Sequence, residues 1–182
     1  MNDASYFYRA IKERSNENEK ALDWLLSEKI YSLVGSVIRM ELDSLFRLCY
    51  FKSKNASEQI ILLQQFFAGQ PWRGERHLVR DRDMVNHLAD TLMLKWATPI
   101  YDIGCAFIHL SPYHDWNNDS SDPTRNITIH VRRSIVEHIK EQHQKDLDIN
   151  FSFDDLILIA NDVFVKLRSN IIYELNDAGY SD

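Results

Sequence analysis

Arginine and histidine recur in this chain at one short spacing. Arg125-Asn126-Ile127-Thr128-Ile129-His130 and Arg82-Asp83-Met84-Val85-Asn86-His87 both read arginine, polar residue, three residues, histidine. Arg133 to His138 repeats the interval with Ser134 after the arginine. The pair suits RNA cleavage without a metal. A histidine titrating near neutrality can move the proton of a 2′-hydroxyl, and an arginine fork can hold the scissile phosphate as charge builds. The neighbouring polar residue can orient one of them. Twelve arginines and seven histidines give roughly half a chance match at any one spacing, so the setting of each match must decide. For Arg82/His87 and Arg133/His138 the plainer reading is a solvated helix face. Arg125, Asn126 and His130 form the preferred catalytic set.

A second cluster is His109-Leu110-Ser111-Pro112-Tyr113-His114-Asp115. His109 follows Phe107 and Ile108 at the close of an apolar stretch, so it reads as a partly buried histidine or a catalytic one. His114 beside Asp115 reads as an oriented base or as loop polarity. His109 and His114 therefore join the candidate catalytic residues. A metal set of His109, His114 and Asp115 is the lesser reading. Asp115-x-Asn117-x-Asp119 opens like a calcium loop, yet Ser120 stands at the sharp-turn glycine and Asn126 at the bidentate glutamate, so a capped turn is expected instead. The chain has no Gly-rich phosphate loop, Cys-x-x-Cys, His-Glu-x-x-His or Glu-x-x-His. We expect no cofactor and no metal.

These side chains must be held by helices. The strongest periodic segment, 19 to 51, carries Leu22, Leu26, Leu33, Val37 and Met40, with Leu25, Ile30, Val34, Ile38, Leu45 and Leu48 widening the stripe. It predicts one helix of about 30 residues packed on more than one side. A short helix over 3 to 14 precedes it, ended by the polar run Ser15-Asn16-Glu17-Asn18. Ser57 is expected to cap the next helix, closed by Gly69-Gln70-Pro71. Asp81 or Asp83 caps a third, which Pro99 ends or kinks near Thr98, with helix resuming from Tyr101 to Leu110. Residues 111 to 123 are irregular. Asp122-Pro123 starts a helix to about 144, and a last one begins near Phe153-Asp154-Asp155.

With 182 residues and only five Gly and four Pro, the chain reads as a single all-α domain spanning 1 to 182. An up-and-down bundle of about five helices is expected, its core within about 20 to 175. The net charge of −6 does not advertise nucleic-acid binding by the whole surface. No apolar run approaches the roughly 18 residues of a membrane span, and the first residues lack a secretory pattern. Cys49 and Cys105 sit among apolar neighbours as free thiols. A cytoplasmic protein is expected, so the Asn-x-Ser/Thr triplets at Asn55, Asn118 and Asn126 carry little meaning.

Arg125-Asn126-(x3)-His130 on an all-α plan resembles the HEPN superfamily of prokaryotic toxin–antitoxin and abortive-infection systems. Tyr101-Asp102-Ile103-Gly104-Cys105-Ala106-Phe107-Ile108-His109-Leu110-Ser111 is similar to a divergent form of the same motif, with Gly104 in the arginine's place. Met40-Glu41-Leu42-Asp43-Ser44 is similar to a carboxylate-bearing helix of some relatives. The resemblance implies a metal-independent endoribonuclease, a homodimer with its site across the interface, an RNA substrate, and an antitoxin or defence-complex partner. The alternative is a catalytically inactive HEPN-like module acting through protein–protein interaction or nucleotide binding. Tyr113 and Trp116 would be its exposed aromatics.

Overall fold

A computed structural model describes residues 3–74, 77–91, 96–108, 129–150 and 153–180. The all-α class holds, but the described residues form seven helices where the periodicity predicted about five. They are α1 (Asp3–Ser27), α2 (Tyr31–Lys52), α3 (Ala56–Phe67), α4 (Asp81–Thr91), α5 (Ala97–Ile108), α6 (Ile129–His143) and α7 (Phe153–Asp177).

The N-terminal half is partitioned differently from the expectation. Helix α1 runs straight through Ser15-Asn16-Glu17-Asn18, and the long helix expected over 19 to 51 is broken at residues 28–30. Lys29 takes the left-handed conformation there (φ 57°), and the Ile30 N–H donates to Leu25 O at 2.9 Å. This is a helix-ending turn in which glycine is usual and lysine stands instead. Asn55, not Ser57, caps α3. Its side chain accepts from the Glu58 N–H at 3.0 Å, while Glu58 accepts from the Asn55 N–H at 3.2 Å. Asp83 accepts from the Arg80 N–H ahead of α4. Pro99 lies in the first turn of α5, where its missing N–H needs no partner, rather than ending a helix.

Helix α2 is central and packs against α1, α4, α5 and α7. Leu42, Leu45, Phe46, Leu48 and Phe51 are fully buried along it, which is the many-sided packing its wide apolar stripe predicts. Contacts ascending α1 descend α2: Phe7 meets Phe51, Arg14 meets Asp43, and Asn18 meets Glu41. The two helices are therefore antiparallel. At the far end, Lys52 on α2 donates to the Glu174 backbone carbonyl (3.0 Å), the Glu174 carboxylate (2.5 Å) and Asp177 (2.8 Å), tying the last turns of α2 and α7 together. Phe7, Phe51, Phe66 and Trp72 form an aromatic knot between α1, α2, α3 and the turn after α3. No described helix is long and apolar enough to cross a membrane.

Candidate functional site

Of the preferred set, His130 is described. It is the second residue of α6 and is exposed, on a face shared with the exposed Arg133 and Glu137. Ile139 is buried, and Arg132 turns inward to donate to Asn150 Oδ1 at 3.2 Å. The amphipathic division expected of this helix is therefore present. Arg125 and Asn126 lie outside the described residues, as do His109, His114, Asp115, Tyr113, Trp116 and the calcium-like Asn117 and Asp119.

The Arg82/His87 pair does not assemble into a site. Arg82 donates to Asp102 on α5 at 2.5 Å and lies over the Tyr101 ring at 4.6 Å. His87 instead meets Tyr50 on α2 edge-on, ring centroids 5.6 Å apart. Burial, then the nearby Lys54 ammonium, lowers the His87 pKa below its ordinary value, with Asp90 opposing. Each residue serves a different helix contact. Arg133 is exposed mid-helix, as expected of plain surface.

The structure adds a buried polar network that the sequence reading did not anticipate. Glu41 is 0% exposed in the middle of α2. One of its oxygens accepts from Ser15 Oγ at 2.5 Å and the other from Asn18 Nδ2 at 2.7 Å. Arg168 on α7 reaches the same place, donating to Ser15 Oγ at 3.2 Å, to Asn16 Oδ1 at 2.9 Å and pairing with Glu19 at 3.0 Å. The polar run that reads as a helix breaker is thus the partner set of a buried carboxylate. The signal available in advance was the i,i+3 spacing of Ser15 and Asn18 on one helix face. With both oxygens already accepting, Glu41 is arranged to join three helices rather than to move protons.

A chain of ion pairs runs beside it. Arg14 and Arg47 both bind Asp43, at 2.6 and 2.8 Å. Arg47 continues to Asp81 at 3.2 Å, and Arg39 closes on Asp81 at 2.7 Å. The Arg39 guanidinium lies 4.4 Å from the Tyr101 ring centroid and 5.2 Å from that of Phe46, and its Nε is buried with no hydrogen-bond partner among the described residues. The aliphatic stem of Arg39 lies against Gly104: a Cβ on that glycine would stand 2.9 Å from Arg39 Cβ. In the α5 form of the motif, the place of the arginine is therefore filled from α2. Cys49 is buried and free as expected, whereas Cys105 is only half-buried.

Among the described residues no three His, Cys, Asp or Glu side chains group closely enough to hold a metal ion. No family model, curated protein or solved structure matches the chain.

Proposed function

We propose that the chain is a HEPN-like, metal-independent ribonuclease of the kind used in prokaryotic toxin and abortive-infection defence, with Arg125, Asn126 and His130 as its catalytic set. The observation that carries this reading is the exposure of His130 in the first described turn of α6, five residues after Arg125. His87, by contrast, is taken up by the α2–α4 contact.

In this mechanism neutral His130 takes the proton of a ribose 2′-hydroxyl, and the 2′-oxygen attacks the adjacent phosphorus. The bond from phosphorus to the 5′-oxygen breaks, and an imidazolium returns a proton to that oxygen. The products are a 2′,3′-cyclic phosphate and a 5′-hydroxyl. Arg125 holds the phosphate with its planar fork and stabilises the charge that builds on it. Asn126 orients either side chain. A homodimer would bring two such sets together, and an antitoxin or defence-complex partner would restrain them in the cytoplasm. His109, the residue after the last described one of α5, and His114 are the second candidates.

The alternative is a catalytically inactive helical module that works by protein–protein interaction or nucleotide binding. The contact of Arg39 with Gly104 favours it, because the α5 motif then has no arginine of its own. The test is total RNA in EDTA with wild type, the Arg125→Ala/His130→Ala double variant and His109→Ala, each checked for unchanged helical circular dichroism. Cleavage lost in the double variant supports the proposed set. Loss in His109→Ala alone moves the site to the end of α5. No cleavage by wild type overturns the ribonuclease reading in favour of the module.

A further inference from the structure

Where α1, α2 and α3 meet, the surface holds a cleft of about 340 Å3, near the lower end of small-molecule sites. Its walls include the aromatic rings of Phe7, Phe66 and Trp72, the small Ala10, and the side chains of Arg14 and Arg47. Phe7 and Trp72 are held rigidly, since their ring centroids lie 5.9 Å apart and each packs on α2 aromatics. Arg47 covers the Trp72 ring at 5.4 Å. The apolar walls are therefore preformed.

The polar end of the cleft carries surplus positive charge. Arg14, Arg47 and Arg39 share two carboxylates, Asp43 and Asp81, leaving one cation in excess. This stands out in a chain whose net charge is −6. Both cleft guanidiniums remain open to solvent, with the Arg14 side chain 38% and that of Arg47 30% exposed. Arg14 gives one Nη1 donor to Asp43, and a guanidinium has five. Donors are thus left for a further anion beside rigid apolar walls.

We propose that this cleft binds a small aromatic carboxylate, its ring against Phe7, Phe66 and Trp72 and its carboxylate on Arg14 and Arg47. None of Arg125, Asn126 and His130 lines it, so the proposal stands apart from the ribonuclease reading.

The test is isothermal titration calorimetry of the full chain with naphthoate, with its uncharged alcohol naphthylmethanol, and with acetate. Saturable one-to-one naphthoate binding is expected, with the alcohol and acetate each at least about tenfold weaker, a factor one well-formed charged contact supplies. Arg14→Gln should weaken naphthoate about tenfold and leave the alcohol unchanged, while Ala10→Trp should fill the cleft and remove binding. Should Ala10→Trp fail to fold, Arg14→Gln and the alcohol decide the matter. No saturable naphthoate binding, equal binding of the alcohol, or an Arg14→Gln variant that binds naphthoate like wild type would overturn the proposal.

Discussion

Replacing Gly104 by alanine should destabilise the protein, although alanine is the better helix former. The new methyl would meet Arg39 Cβ at 2.9 Å, Cδ at 3.1 Å and Cγ at 3.3 Å, inside the roughly 3.5–4.0 Å of a relaxed carbon contact. Arg39 cannot simply swing aside. Its Cβ is fixed by the α2 backbone, and its head is held by Asp81 and the Tyr101 ring. Relief must come from α5 retreating from α2 or from Arg39 giving up Tyr101. Overpacking of this kind costs about 1–3 kcal/mol, and the helix preference of alanine over glycine returns about 1. The net loss is about 1–2 kcal/mol, or roughly 3–6 °C in Tm for a domain of this size. Urea unfolding followed by helical circular dichroism reads it directly, and Gly104→Arg should lose more. A Gly104→Ala variant as stable as wild type would refute the reasoning, because helix propensity alone would then govern the position.

Three further outcomes follow from named contacts. Glu41→Ala strands Ser15 and Asn18 in the core and removes two hydrogen bonds to a charged group, so stability should fall by about 3–5 kcal/mol, with Glu41→Gln losing less; the unfolding midpoint in urea checks both. Because His87 has a pKa lowered in the folded state, the unfolded chain binds its proton more readily. Stability should therefore fall as pH drops below about 6.5, and His87→Gln should flatten the decline in Tm measured between about pH 7 and pH 5. The Cys49 thiol is pushed up to about 12, first by burial and then by Glu174, with Lys52 opposing. Thiol titration of the native protein with Ellman's reagent should find Cys105 reacting quickly and Cys49 only on unfolding, and Cys105→Ser should remove the fast phase.

Much of the fold was legible because α2 is buried on several sides, and the residues that line it, from Val34 to Leu48, carry a stripe too wide for a surface helix. The break at Lys29 was not legible, since the turn uses a lysine at φ 57° where glycine is the usual signal. The polar run from Ser15 to Asn18 misled for a related reason. Its side chains are satisfied by Glu41 and Arg168, which are 23 or more residues away, and local propensity cannot register such partners. At the candidate site, the polar and apolar faces of α6 were legible from the spacing of His130, Arg133, Glu137 and Ile139. The spacing of Arg82 and His87 matched the motif equally well, and only their contacts with Asp102, Tyr101 and Tyr50 separate a packing pair from a catalytic one. The value of Gly104 was visible as a missing arginine, but the stem of Arg39 that occupies its place belongs to another helix.

The central claim is that this chain cuts RNA through its own 2′-hydroxyl, without a metal. The most direct measurement is the chemistry of the product ends after wild-type protein acts, in EDTA, on an RNA oligonucleotide and on the same oligonucleotide with 2′-deoxy residues throughout. The account predicts cleavage of the RNA alone, leaving 2′,3′-cyclic phosphate and 5′-hydroxyl ends. Cleavage of the deoxy strand, 5′-phosphate ends, or no cleavage of the RNA would contradict it.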